Sequence, residues 1–314
     1  MRRGLSIDML SPMPTGQLAA LGAASLWAFT ALAIEGAARR IGSLTVNLVR
    51  LVFAFVFLSL VGWLWRGLPL PVDASAHAWT WLTISGLVGF TFGDLCLYRA
   101  YIVLGPRLST LVMSLVPPLT ATIGWIVLGE TLSPRDLLGM CLTVSGIAWA
   151  VLERQPARPS LASGGGAGAG GVPGKGIALA FGGALGQAGG LILSKIGIGS
   201  YDAFAATQVR VIAGIAGYSL LFFALRWWPN VRAGLRDRQA LGFAALGAFF
   251  GPFLAVSLSL IAIRATVAGV AASIMALTPV LIIPLVVVLR GERVGWGGVA
   301  GALVAVSGVA LLFL

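Results

Sequence analysis

The sequence predicts an all-α integral membrane protein, ten transmembrane helices folded as two inverted five-helix repeats, and three observations carry that expectation. Of the 314 residues 58% are hydrophobic and 10% charged, with a mean hydropathy of +0.98, a balance that a water-exposed surface does not sustain. Apolar stretches of about 20 residues, enough helix to cross a hydrocarbon core of about 30 Å, recur between short polar breaks. They occupy residues 16–36, 43–65, 78–104, 106–128, 134–152, 175–196, 203–225, 239–263, 266–289 and 294–314. Third, the segment LVMSLVPPLTATIGWIVLGETLSPRDLLGMCLTVSGIAWAVL from Leu111 returns from Ser273 as SIMALTPVLIIPLVVVLRGERVGWGGVAGALVAVSGVALLFL.

At a constant offset of 162 the two copies match Met113 with Met275, Pro117 with Pro279, Gly129-Glu130 with Gly291-Glu292, and Val144-Ser145-Gly146 with Val306-Ser307-Gly308. Earlier parts correspond with small gaps: Asn47-Leu48-Val49-Arg50 echoes Thr207-Gln208-Val209-Arg210, and Gly89 matches Gly251. An odd number of spans per copy makes the second copy enter the membrane from the opposite face, so the repeats are inverted. Residues 16–152 form the first repeat and 175–314 the second. Between them, residues 153–174 are rich in Gly, Ala, Ser and Pro, the composition of a flexible tether.

Taken in order, the first span holds Trp27 and Thr30 and ends at Glu35 beside Arg39 and Arg40. The second opens on Asn47 and Arg50 and closes on Trp63 and Trp65. Trp79 and Trp81 start the third, which carries Asp94, Tyr98 and Arg99 in its later half. Pro117-Pro118 interrupts the fourth, and the fifth is glycine-spaced. Beyond the tether, the sixth carries Gln187 and Lys195, the seventh Arg210, and the eighth Ser257. Pro279 and Pro284 interrupt the ninth, and Trp296 opens the tenth. The tryptophans at span ends, with Trp227 and Trp228, read as an aromatic belt at headgroup depth. Glycines four apart, such as Gly89 with Gly93, Gly182 with Gly186 and Gly190, Gly247 with Gly251, and Gly297 with Gly301, read as close helix contacts.

The net charge of +11 does not indicate nucleic acid, because the arginines stand singly or in pairs in loops, where topology signals and headgroup contacts belong. The tether ends in GVPGKG, but Ala169 stands where a phosphate loop needs its first glycine and Gly176 where it needs Ser or Thr. Cys96 and Cys141 lie inside spans without ligand spacing and read as small core residues. The single histidine, His77, has no paired nucleophile or metal-ligand partner, so no catalytic residue, metal or cofactor is expected. The basic, then apolar start MRRGLSIDMLSPMPTGQ lacks a convincing cleavage site and reads as leading into an uncleaved first helix.

The stretch LGETLSPRDLLGMCLTVSGIAW, its copy RGERVGWGGVAGALVAVSGVALL and the preceding AIRATVAGVAASIMALTPV resemble the EamA-type branch of the drug/metabolite transporter superfamily. That resemblance implies a ten-helix inverted-repeat protein of the plasma or inner membrane that moves small metabolites, such as amino acids, outward through a central cavity. It also implies termini in the cytoplasm. Charge counting disagrees: twelve Lys and Arg follow odd-numbered spans against five on the other side, which places both termini outside. The loop RGLPLPVDASAHA, with one arginine where typical members have several, departs from the family pattern.

Ionisable residues inside a membrane are costly and mark functional positions. Spans two and three run antiparallel, which brings Arg50 and Asp94 to similar depth. They form either a structural ion pair or a cavity group in which Asp94 receives a substrate ammonium or a proton. Matched prolines in both copies, Pro117 and Pro279, are either simple kinks or gates beside a site. The expected cavity lining is Trp27, Thr30, Asp94, Tyr98, Met113, Ser114, Gln187, Ser257, Met275 and Thr278, suited to a small amphiphilic metabolite. The expected reading is a secondary transporter, monomeric or homodimeric, working by alternating access; the alternative is a flippase for a polar lipid or lipid-linked sugar.

Overall fold

The computed structural model describes residues 15–152, 174–290 and 295–313. The tether residues 153–173, the Gly291-Glu292 copy of the duplicated pair, the basic N-terminal segment, and Arg2, Arg3, Arg154, Arg158 and Arg293 of the charge count lie outside the described residues. The first repeat contributes α1 (Thr15–Ile41), α2 (Ser43–Arg66), α3 (Ala76–Val103), α4 in two halves (Pro106–Met113 and Val116–Leu128) and α5 (Pro134–Leu152). The second contributes α6 (Gly174–Ile198), α7 (Ala203–Ala224), α8 (Arg238–Ala265), α9 in two halves (Ala268–Met275 and Thr278–Arg290) and α10 (Trp296–Leu312). A short helix, Trp228–Gly234, connects α7 to α8. Among the described residues nine helices are long and apolar enough to cross a membrane, and α10 is a shorter apolar helix.

The duplication extends to details that residue identity does not show. Helices α3 and α8 begin and end 162 positions apart, as do both halves of α4 and α9. Each of α3 and α8 contains a seven-residue π-helical segment, Leu87–Gly93 and Phe249–Ala255, again 162 apart. Such widened turns are rare and recur at functional sites. The capping sites also correspond: Ser75 accepts from Ala78 N at the start of α3, and Asp237 accepts from Gln239 N and Ala240 N at the start of α8. Both are residue types whose side chains satisfy otherwise orphaned N–H groups.

Packing follows from small residues, because between lipid-solvated helices close backbone approach supplies the attraction. Helix α5 lies along α10, and a Cβ on Gly146 would stand 2.7 Å from Gly301 O, one on Gly301 2.7 Å from Gly146 O. The pair Gly139 and Gly308 meets in the same reciprocal way, at 2.9 and 2.7 Å. Since Gly301 and Gly308 are the repeat copies of Gly139 and Gly146, this seam is symmetric about the pseudo-twofold axis. Helix α3 lies equally close to α6, where a Cβ on Gly186 would come within 2.5 Å of Gly93 Cα. Helix α1 packs on α8, and α2 on α7.

Several side chains differ from expectation. Trp63, Trp65 and Trp296 are exposed, but Trp79 packs on the main core cluster and Trp227 and Trp228 on the α2–α7 cluster. Cys141 faces outward from α5 and is not a core residue, while Cys96 is partly buried. His77 sits in the first turn of α3, and its Nε2 lies 3.0 Å from Ile196 O.

Candidate functional site

A cavity of about 380 Å³ lies in the middle of the bundle, with walls from both repeats. Its construction begins with the two π segments. The first places Phe90 and then Asp94 on the cavity wall, and the second places Gly251, Pro252 and Val256 opposite. Helix α7 reaches the cavity because α3 is stripped of side chains where they meet. A Cβ on Gly86 would lie 2.4 Å from Arg210 O, and one on Gly89 would lie 3.4 Å from an Arg210 guanidinium nitrogen.

The breaks in α4 and α9 fall at Ser114-Leu115 and Ala276-Leu277, repeat-equivalent positions. Pro117 and Pro279 each stand in the first turn of the following half-helix, where the missing N–H costs no internal hydrogen bond. They restart the helix after the break; neither bends a continuous one. At the breaks, side chains satisfy freed carbonyls: Ser114 Oγ donates to Leu111 O at 2.6 Å, and Thr278 Oγ1 donates to Met275 O at 2.9 Å with Ala24 O at 3.3 Å. Pro279 lines the cavity; Pro117 is buried outside it.

Of the ten residues expected in the lining, Trp27, Thr30, Asp94, Tyr98, Met113, Ser114, Gln187, Met275 and Thr278 border the cavity. Ser257 does not. It is fully buried between α8 and α7, donating to Phe253 O at 2.6 Å with Thr207 Oγ1 also near, at 3.1 Å, and Ser259 borders the cavity in its place. Arg50 and Asp94 form a buried ion pair through Nη2 and Oδ2. The other carboxylate oxygen of Asp94 accepts from Gln187 Nε2 at 3.0 Å, so both oxygens are engaged by protein groups. Arg210, read from the sequence as an intramembrane charge but not as a cavity residue, also borders the cavity, 5% exposed, with its guanidinium 5.0 Å over the Phe90 ring.

One end of the bundle carries a second charge pair, half-buried, Glu130 with Lys195. Gly129 ends α4 in the left-handed conformation, φ 66°, which favours glycine and turns Glu130 back across the repeat interface. There Glu130 Oε2 accepts from Ala268 N at 2.9 Å, at the start of α9, and Lys195 Nζ donates to Thr266 O at 2.6 Å. Helices α4, α6 and α9 are thereby tied together on that face. The cavity lining extends the other way, through Tyr101 and Thr110, towards the face where α1 ends and α2 begins. Glu35 pairs with Arg39 at 2.5 Å near the end of α1.

On the same face as the Glu130 bridge, Arg66, Asp73 and Tyr201 form a polar cluster. Partial burial would raise the Asp73 carboxyl, but hydrogen bonds from Arg66 and Tyr201 hold it below the usual carboxylate range. Burial, reinforced by the bond to Asp73, pushes the Tyr201 phenol up to about 12.

A helical bundle of two copies of a five-span unit, enclosing a polar-centred cavity between them, defines a multi-pass membrane protein of the transporter class. The profile of the EamA-like transporter family matches residues 14–152 and again 174–314, and the chain belongs to that family, within the drug/metabolite transporter superfamily. No curated protein matches the sequence. A solved structure described as "Crystal structure of protein" superposes with a TM-score of 0.69 over 94% of this chain and 95% of its own at 19% identity, which shows a shared fold.

Proposed function

We propose that this transporter exports small amphiphilic metabolites by alternating access at the central cavity. The observation that carries the reading is the position of the cavity, between the repeats and directly beside the matched breaks of α4 and α9. Discontinuous helices at a repeat interface are where secondary transporters place their sites. The Glu130 bridge ties one face shut while the lining extends towards the other, the asymmetry of a single access state. The half-helices that Pro117 and Pro279 restart serve as the gates.

The test is counterflow of a labelled metabolite panel into vesicles containing the purified protein, beside Pro117→Ala and Pro279→Ala at equal insertion. Saturable exchange of one compound class, slowed in the variants, is expected. Unchanged exchange in both variants removes the gating role. No exchange of any compound, with a labelled lipid moving between leaflets, would replace the transporter reading with the flippase.

A further inference from the structure

We infer that the cavity binds the carboxylate of a small, apolar-bodied organic anion, and that Arg210 is the group that holds it. The inference deepens the transport reading and rests on it for the identification of the cavity as the substrate site.

Charge is the first observation. The charged side chains bordering the cavity are Arg50, Arg210 and Asp94, so the lining carries one surplus positive charge. The duplication shows which arginine is in surplus. Arg50 and Arg210 occupy matched positions in the two repeats, 160 apart, but the position matched to Asp94 is Val256, 162 further on. The second copy keeps the cation and lacks the anion that neutralises it in the first.

The geometry agrees. Asp94 is committed to Arg50 and Gln187; a ligand ammonium at Asp94 would have to share it with Arg50. The Arg210 side chain makes no hydrogen bond among the described residues; the buried Nε of each arginine is without a partner, but Arg50 has its bond to Asp94 through Nη2 and Arg210 has none. Its guanidinium lies over the face of Phe90, and the side chain borders the cavity. The one carboxylate near Arg210 is Asp94, whose charge acts on Arg210 but is bonded to Arg50; two buried cations sharing one anion are unfavourable, more so within a membrane, and a bound anion relieves that cost.

The same features narrow the anion. A guanidinium fork matches the two oxygens of a planar carboxylate. One negative charge neutralises the lining, whereas a phosphate dianion would leave it negative. The same cavity is lined by Trp27, Tyr98, Met113 and Met275, which accept an apolar or aromatic body, and a volume of about 380 Å³ suits a small molecule.

The test uses the full-length protein in nanodiscs and three probes with one body and different charge: phenylpropanoate, phenylalanine and phenylethylamine, measured by equilibrium dialysis. Phenylpropanoate is expected to bind saturably, zwitterionic phenylalanine more weakly because its ammonium restores the surplus positive charge, and the amine not at all. Arg210→Gln should weaken phenylpropanoate about 10- to 100-fold, the worth of a charge-assisted hydrogen bond. Val256→Asp should weaken it to a similar degree with Arg210 intact, because it supplies the missing internal counter-charge, and it carries the test if Arg210→Gln fails to fold. Unchanged binding in Val256→Asp, preference for phenylethylamine, or no saturable binding of phenylpropanoate would overturn the inference. Carboxylate binding without counterflow sinks the transport reading and leaves the anion site standing. Counterflow of the amine without carboxylate binding does the reverse.

Discussion

The two repeats share a scaffold and differ in their charges. Helix ends, π segments and helix breaks in α3–α4 and α8–α9 repeat at one offset, and the α5–α10 seam is reciprocal down to individual glycine pairs. Only some of the ionisable residues follow. Arg50 has Asp94, while its copy Arg210 has Val256 at the matched position. The Glu130 bridge accepts from Ala268 N, and the residue matched to Ala268 is Pro106, which has no N–H to donate. Backbone-to-backbone packing depends only on small residues and is preserved by duplication; charge, which sets what the cavity holds and which face is tied, has diverged. Symmetry here supplies the moving parts and asymmetry the chemistry.

The largest effect should come from erasing that difference. Asp94→Val makes the first repeat resemble the second and leaves two buried arginines without a counter-charge, at an expected cost of about 3 to 5 kcal/mol, read as a lowered unfolding temperature of the purified protein. Adding Val256→Asp moves the pair from Arg50 to Arg210, and the double variant should recover most of the loss. A single substitution costing less than about 1 kcal/mol, the range of an exposed pair, would mean that Arg50 and Asp94 are solvated and that the contrast between the arginines is empty.

The symmetric seam makes the opposite claim. Gly146→Ala and, at its repeat copy, Gly308→Ala each press a methyl into the backbone of the facing helix and should each destabilise by about 1 to 3 kcal/mol, the usual range for overpacking. The claim lies in the equality of the two. Costs that differ several-fold in the same unfolding measurement would show that one half of the seam can relax and the other cannot, and that α5 and α10 are not equivalent.

Much of this was readable beforehand because a membrane penalises exposed polar backbone and charge so heavily. The ten apolar stretches became nine helices of membrane-crossing length and one shorter apolar helix, α10, among the described residues, with helix α1 running five residues past the expected end at residue 36 to Ile41, and antiparallel depth alone brought Arg50 to Asp94. The misses have local physical causes. A π segment closes its hydrogen bonds over five residues where an α-helix closes them over four, so a face counted at 3.6 residues per turn is out of phase beyond it; Ser257, just past Phe249–Ala255, bonds to α7, and Ser259 borders the cavity. Lys195 and Glu130 are 65 positions apart, and no periodicity joins them. The isolation of Arg210 was available from the duplication, since matching Asp94 to Val256 exposes it, but only when charges are compared across the copies as closely as glycines and prolines.

The smallest expected effect separates the copies at their helix starts. Ser75 caps α3 with a hydroxyl that does not titrate, while Asp237 caps α8 with a carboxylate. The bond from Ala240 N, and then the pairing with Arg40, hold Asp237 below the usual carboxylate range. Because its folded pKa is depressed, the stabilisation is complete above the unfolded value of about 3.9 and is lost as pH falls through the lower folded value. Amide exchange over the first turn of α8, corrected for intrinsic rates, should therefore accelerate in acid while the first turn of α3 stays unchanged. Asp237→Ser, which makes the second copy resemble the first, should abolish that acid sensitivity and keep the cap. Equal acid sensitivity in both turns would show that the fraying is global, and that the carboxylate at this capping position adds nothing that the serine of its counterpart lacks.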